Sequence, residues 1–462
     1  MLTELKILKT TSRGFRASVY EGVVTVFANS LASPMLVPLL IRRGATVADL
    51  GIYTMATTAS TPAAQFPAIV LLDRFRTKRL YLMTGFILAS RVIWLLMLLP
   101  ITGTCGGVNE IMAMSVLSSI FGSVGALAWS DLIADLVEPE RMGRAFAARN
   151  SVIALSTMSG FAASSYIFTT IRYPDNYIYS FAIGSGIMLL STPIFLAYGD
   201  PKRPRGIGIT LKRIADIKKN IDSPKQAVAM SFWSFSVNIA AAVWTYHMFN
   251  VMGADETWVT SINLLSAVLS FFFNIPWGRV YDKFGPKGTF FVSGIGASLV
   301  PAFFPLLGNL SGQLALQSYA TFFWSGFNLA GFNYPLSSKP EFRHLTTATY
   351  NFMTSVFAAF SNYVGALLYS RFGVMVFYIS AALRLASLPL LVRHTSNRGM
   401  SYEDLSIRSG LYKIGPTFRD AATFAMQELT YMFKLVYSIA VVVALAVVTV
   451  SLYSLAIRMI AP

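Results

Sequence analysis

Apolar residues in this sequence gather into runs separated by short polar connections. The runs cover residues 17–41, 47–72, 79–101, 110–136, 143–170 and 175–198, and then, after a polar stretch, 227–250, 255–278, 287–308, 311–336, 345–370 and 372–392. Runs of about 20 apolar residues match the hydrocarbon thickness of a bilayer when wound as helices. Hydrocarbon leaves exposed backbone groups without partners, and a barrel would show short alternating segments instead, so each run predicts a membrane-crossing helix. The pattern therefore predicts an all-α polytopic protein with six helices, a linker and six more. The expected units are residues 1–198, a linker with an amphipathic helix at 199–226, a second bundle at 227–393, and a tail at 394–462. Within that tail, residues 435–457 run without a charge and predict a thirteenth crossing.

Composition agrees with lipid as the main solvent. Hydrophobic residues make up 55% and charged residues 13%, with a mean hydropathy of +0.57. A soluble chain is about 45–50% apolar and about 25% charged. Disorder, a coiled coil and a secreted disulfide scaffold are excluded. Cys105 is the single cysteine, and with only three histidines (His247, His344, His394) a His/Cys metal site is not expected. The net charge of +16 would suggest nucleic acid in a soluble protein, but its placement points elsewhere. Of 37 Lys and Arg, 30 fall on connections at the face where the N-terminus lies and four on the opposite connections. The positive-inside rule then predicts a cytoplasmic N-terminus in the cell membrane, bordering anionic lipid, with no nucleic-acid partner. No cleavable signal is expected, because the first run is too long and carries Glu21.

The two halves share an internal repeat. Asp73-Arg74-Phe-Arg-Thr-Lys78, followed by Thr84-Gly85, matches Asp282-Lys283-Phe-Gly285-Pro-Lys287, followed by Ser293-Gly294, each joining the second and third helix of its half. A weaker echo is Trp129-Ser130 and Trp324-Ser325, each in a fourth helix. Duplicated bundles imply a cavity between them that can open to either side. An acid at the loop position, Asp73 or Asp282, can sit by a neighbouring helix N-terminus and pair with Arg, holding one side shut. A solvated loop charge is the alternative.

These residues resemble the major facilitator superfamily. Gly278-Arg-Val-Tyr-Asp282-Lys283-Phe-Gly285-Pro-Lys287 is similar to its cytoplasmic G-x-x-x-D-[RK]-x-G-x-[RK] loop, whereas the first copy has Ile69 and Arg76 at the glycine positions. Trp129-Ser-Asp131 through Asp135, Pro139, Gly143 and Arg144 to Arg149-Asn150 resembles a pattern of one uncharacterised bacterial and archaeal branch, which implies no substrate. The resemblance covers about residues 15–395. Gly-Pro in the fifth helix, a basic residue near Ser118, an E-x-x-E-R cluster and P-E-S-P-R are all missing, which weighs against drug export, peptide uptake and sugar-porter chemistry. The resemblance implies secondary transport by alternating access, with Asp73, Arg74, Gly278, Asp282, Lys283, Gly285 and Lys287 at a cytoplasmic gate. Asp131 and Asp135, four apart on one helical face, with Arg144 and Arg149 beyond the turn, predict a salt-bridge network at the same gate or a coupled proton site.

Ionisable residues deeper in the runs are sharper candidates, since an intramembrane charge costs at least about 2.5 kcal/mol on insertion scales. Glu21 reads as a proton-coupling or substrate contact, or as a group snorkelling towards Arg16. Arg91 and Arg384 read as structural or snorkelling groups on peripheral helices. His247 either titrates near neutrality or is a hydrogen-bonded interfacial histidine. By resemblance the first, fourth, seventh and tenth helices line the cavity. Their polar and aromatic residues include Asn29, Ser118, Ser119, Trp233, Asn238, Trp244, Tyr246, Gln317, Tyr319, Trp324, Asn328 and Asn333. Amides and rings with no mid-cavity Arg fit a neutral or amphipathic solute, and packing residues are the alternative for about half of them.

No Walker-type G-x-x-x-x-G-K-[ST] occurs, so ATP is not expected as the energy source, and no converging catalytic set suggests an enzyme. A transporter with no cofactor beyond a proton or sodium gradient, acting as a monomer on a small solute, is the expected function. A lipid or amphiphile flippase and a polytopic scaffold are the alternatives.

Overall fold

The computed structural model describes residues 11–75, 78–104, 106–137, 142–199, 224–336 and 343–396. The predicted linker helix and the thirteenth crossing lie outside the described residues. The described residues are nearly all helical, and no strand occurs among them.

Twelve crossings follow in the predicted order. The first runs through Arg13–Ala32, a 3-10 turn at Ser33–Met35 and Leu36–Arg42. Val47–Arg74 is the second, Arg79–Leu96 with Leu98–Thr102 the third, Val108–Ala134 the fourth and Met142–Thr170 the fifth. The sixth is Asp175–Ser191, continued by a 3-10 turn at Thr192–Ala197. Pro224–Asn250 is the seventh, and Glu256–Leu306 holds the eighth and ninth in one 51-residue element. Leu310–Leu336, Arg343–Phe372 and Met375–His394 complete the set. Length and composition qualify nine of these elements as membrane-crossing among the described residues, with Glu256–Leu306 counted once. The second and tenth helices are more polar, carrying Thr57, Thr58, Ser60 and Gln317, Ser318, Asn328, as suits helices screened from lipid by their neighbours.

Local chemistry sets the ends and breaks. Thr46 and Asp49 form a reciprocal capping box at the start of the second helix, and the Asp255 side chain accepts from Trp258 N at 2.8 Å to start the eighth. Pro34 and Pro193 sit at the first turns of the two 3-10 segments, where proline cannot continue an α-helical ladder. Gly285, at φ +67°, turns the chain between the eighth and ninth helices. That left-handed conformation explains a glycine in the motif, followed by Pro286.

The helices assort into two bundles. The first helix packs on the fifth and sixth, and the fourth packs on the second and third. In the second half, the seventh helix packs on the eleventh and twelfth, and the ninth on the twelfth. Small residues allow close approach, as membrane helices require in the absence of a hydrophobic force between them. A Cβ at Gly365 would run into the carbonyl oxygen of Ile239, and one at Gly160 would stand 2.7 Å from that of Phe27.

The bundles meet at the face opposite the basic loops. There the second helix packs on the eleventh and the fifth on the eighth. Val47, from the first half, belongs to the apolar cluster of the second half with Ile239, Val243 and Ala366. Asn362 Nδ2 donates to Thr58 Oγ1 at 3.2 Å and to the Thr54 carbonyl at 3.4 Å.

Replacing Gly365 with Ala will drive the seventh and eleventh helices apart. Size-exclusion chromatography of the purified variant should show loss of the monodisperse folded peak. Gly186→Ala, where a Cβ meets nothing within 4 Å, should elute as the native protein does.

Candidate functional site

Charged groups inside the first bundle converge on Glu21. It lies on the first helix, 5% exposed, beside Arg91 of the third, 4% exposed. Arg91 Nη2 donates to Glu21 Oε1 at 2.6 Å and to Thr25 Oγ1 at 2.7 Å. Its Nη1 donates to the Met188 carbonyl at 2.8 Å, Ser191 Oγ at 3.1 Å and Thr192 Oγ1 at 2.9 Å on the sixth helix. The Thr25 hydroxyl donates to Glu21 Oε1, and Tyr198 donates to Oε2 at 3.4 Å. Phe195 covers the guanidinium at 5.0 Å. Glu21 is therefore not snorkelling towards Arg16: a buried partner 70 positions away satisfies it where water cannot reach. A helix carrying Arg91 and another carrying Glu21 can enter hydrocarbon only if the two charges meet inside the bundle.

Arg149, from the fifth helix, lies on the other side of this cluster. Its guanidinium sits 4.8 Å above the Trp129 ring, and its Nε is buried with no hydrogen-bond partner. Gly22 makes room for it, since a Cβ there would stand 2.8 Å from Nη2. Asp135 is engaged by Arg79 Nη1 at 2.8 Å and so does not pair with Arg149. Within the predicted gate network, Asp135 thus has a partner on the third helix that the sequence reading did not name. The side chains of Asp73, Asp131 and Arg144 lie outside the described ones. Asp282 and Lys283 are exposed, with Lys283 Nζ 5.3 Å from the Phe284 ring. A Cβ at Gly278 meets nothing within 4 Å, so no close backbone approach requires that glycine here.

A second charged group bridges the bundles at the opposite face. Arg42, ending the first helix, grips Glu256, starting the eighth, with Nε to Oε1 at 2.6 Å and Nη2 to Oε2 at 2.9 Å. Tyr177 donates to Oε1 at 2.8 Å. The Glu256 side chain is 7% exposed and the Arg42 side chain 46%. Sequence reading missed this pair. The signal available was the acidic pair Asp255-Glu256 opening the eighth run at the face that holds only four basic residues.

The predicted cavity residues divide. Asn29 and Asn328 are exposed, and Asn333 is half-buried. An amide against hydrocarbon would lack partners. Gln317 Nε2 donates to Ser266 Oγ at 2.7 Å, tying the tenth helix to the eighth, and Asn238 Nδ2 donates to the Ser234 carbonyl at 2.8 Å. Tyr246 packs between both bundles' apolar clusters, and Tyr319 against Phe303 and Phe323. Trp244 and His247 pack against aromatic rings of the second bundle. Trp244 lies 3.9 Å from Phe304, while His247 Nδ1 is 2.7 Å from Tyr369 Oη among Phe304 and Phe377. His247 is buried, at 4% exposure, and Trp244 is half-buried. Ser118 bonds Ser90, Ser119 bonds its own helix, and Trp233 stacks on Phe327.

Arg384 of the twelfth helix is also buried, at 4% exposure. Its Nη1 and Nη2 donate to the carbonyls of Ala297 at 2.9 Å and Val237 at 3.4 Å, its Nε has no partner, and Trp324 lies 5.7 Å away. No His, Cys, Asp or Glu cluster able to hold a metal occurs among the described residues.

Two six-helix bundles closed at one face around internal charges define a membrane transport protein. The family model described as Major Facilitator Superfamily matches residues 22–339, and the chain belongs to that family. Its fold is similar to a mutant of the nucleoside transporter NupG (TM-score 0.64, 10% identity, 83% of this chain and 100% of that one). It is also similar to a D-xylose-proton symporter (0.61, 13%, 86% and 98%) and to an inward-facing bacterial homologue of the iron transporter ferroportin (0.60, 14%, 83% and 99%). No curated protein matches the sequence significantly.

Glu21→Ala and Arg91→Ala should each destabilise the protein by about 3–5 kcal/mol, because each leaves an uncompensated buried charge. The double variant Glu21→Leu with Arg91→Met should recover most of that loss. Thermal unfolding of the purified variants measures both effects.

Proposed function

We propose that the protein moves a small organic solute across the plasma membrane by alternating access, with its N-terminus in the cytoplasm. The observation that carries this reading is the position of the seam. Arg42–Glu256–Tyr177, Asn362–Thr58 and Val47 in the second bundle's cluster all lie in the half of the molecule away from the basic loops. With 30 of 37 basic residues on the other side, that seam is the extracellular gate, closed, and the cavity faces inward. Rocking must break the Arg42–Glu256 bond, which a partly solvated pair permits at small cost.

The working unit is a monomer in lipid, without nucleic-acid partner or cofactor. It is driven by a proton or sodium gradient or by the solute's own. A flippase for lipid or amphiphile is the second reading. A groove of about 510 Å³ between the second and fourth helices favours it, walled by Ile52, Tyr53, Met112, Val116, Leu117 and Ile120 and almost wholly apolar. Ala113→Trp, on that groove, would stop lipid scrambling in liposomes under this reading and leave it untouched under the first.

Val47→Cys in a Cys105→Ser background tests the gate. A membrane-impermeant maleimide added from outside should label it slowly, and Arg42→Ala or Glu256→Gln should raise the rate several-fold by freeing the seam. Labelling that ignores both substitutions would overturn alternating access at this seam.

A further inference from the structure

The polar inventory of the first bundle does not balance. Arg91 directs Nη1 and Nη2 to five acceptors, and Glu21 is taken up by Arg91, Thr25 and Tyr198. Arg149 is left over. Two guanidinium groups stand beside one carboxylate, and Arg149 forms no ion pair among the described residues. Its Nε–H faces no acceptor. A buried donor without an acceptor is destabilising, and such groups in native proteins mark a place for a ligand or ion.

The surroundings suit an oxyanion. The Trp129 ring holds one face of the guanidinium, orienting it without neutralising it. Gly22 lets the guanidinium lie against the first helix, since a Cβ there would stand 2.8 Å from Nη2. Arg149 is half-buried, so it can be reached, and its neighbours are the first and fourth helices. Inside the second bundle the motif recurs, with the buried Arg384 near the Trp324 ring, its Nε unpartnered and only carbonyls on its other nitrogens. Both halves thus carry a tryptophan on their fourth helix with an arginine beside it, and of the two only Arg149 is accessible, Arg384 being 4% exposed.

We infer that the solute is an organic anion whose carboxylate or phosphate docks on Arg149 against the Trp129 ring. This rests on the transport reading above and replaces the neutral solute expected when no arginine was visible near the cavity. A guanidinium fork matches a carboxylate or phosphate in geometry and charge.

Scanning calorimetry of the full-length protein in detergent, titrated with benzoate, phenylphosphate and the neutral benzamide, tests the site. Benzoate or phenylphosphate should raise Tm saturably, the tighter of the two distinguishing carboxylate from phosphate, while benzamide should not. Arg149→Gln should weaken the anion's apparent affinity by roughly tenfold or more, Arg149→Lys should fall between, and Trp129→Phe should keep most of the effect. Equal stabilisation by benzamide, an anion shift that survives in Arg149→Gln, or no shift with either anion would overturn the inference. Should Arg149→Gln not fold, the Arg149→Lys and benzamide comparisons decide the matter. The Val47→Cys labelling separates the two claims. Gate-dependent labelling without anion binding sinks only the anion site, whereas gate-independent labelling sinks the transport reading.

Discussion

Hydrocarbon offers no hydrogen-bond partner and little screening, so a charge carried into it must be satisfied by the protein itself. The Glu21–Arg91 pair is where this constraint acts most strongly in the chain. It joins the first, third and sixth helices through a carboxylate, a guanidinium, two threonines and a serine. Apolar contacts between membrane helices discriminate poorly among alternatives, since lipid tails are as apolar as leucine. A buried pair of this kind admits few other arrangements, because any register that separates the partners strands both.

The second bundle answers the same constraint differently. Its arginine comes from the twelfth helix and reaches the ninth and seventh, the counterparts of the third and first, so the same triangle of helices is bridged with donor and acceptor helices exchanged. No carboxylate meets it there; backbone carbonyls and the Trp324 face do. The duplicated halves have thus kept a polar tie across three helices while diverging in charge, and the divergence leaves the second half with a positive interior.

Between the bundles the chemistry is of another kind. Under the proposed alternating access the halves separate and rejoin, and a deeply buried ion pair between them would cost several kcal/mol to break. The seam instead uses small-residue contact at Gly51 and Ala366, amide bonds of 3.2–3.4 Å from Asn362, and the Arg42–Glu256 pair with its arginine half in water. Strong ties inside each bundle and weaker ones between them are what rocking of two intact units requires.

Helix number and bounds were legible in the sequence because apolar run length is a direct image of bilayer thickness. Crossings predicted at 47–72 and 311–336 correspond to Val47–Arg74 and Leu310–Leu336, and Gly285-Pro286 announced its turn through the conformational freedom of one residue and the rigidity of the next. The breaks at Ser33–Met35 and Thr192–Ala197 were less visible, though proline marks both. Glu21, Arg91 and Arg384 each stood out as costly residues, whereas Arg149 read as a gate residue at the cytoplasmic turn. Their partners did not, because Arg91 finds Glu21 across 70 positions, Arg79 reaches Asp135 across 56, and Arg42 reaches Glu256 across 214. Sequence determines which segments enter the membrane and which charges must be satisfied there, since both follow from transfer free energies of single residues. Which charges meet, and which arginine is left without an acid, depends on the rotation and neighbours of each helix, and only the packed bundles decide that.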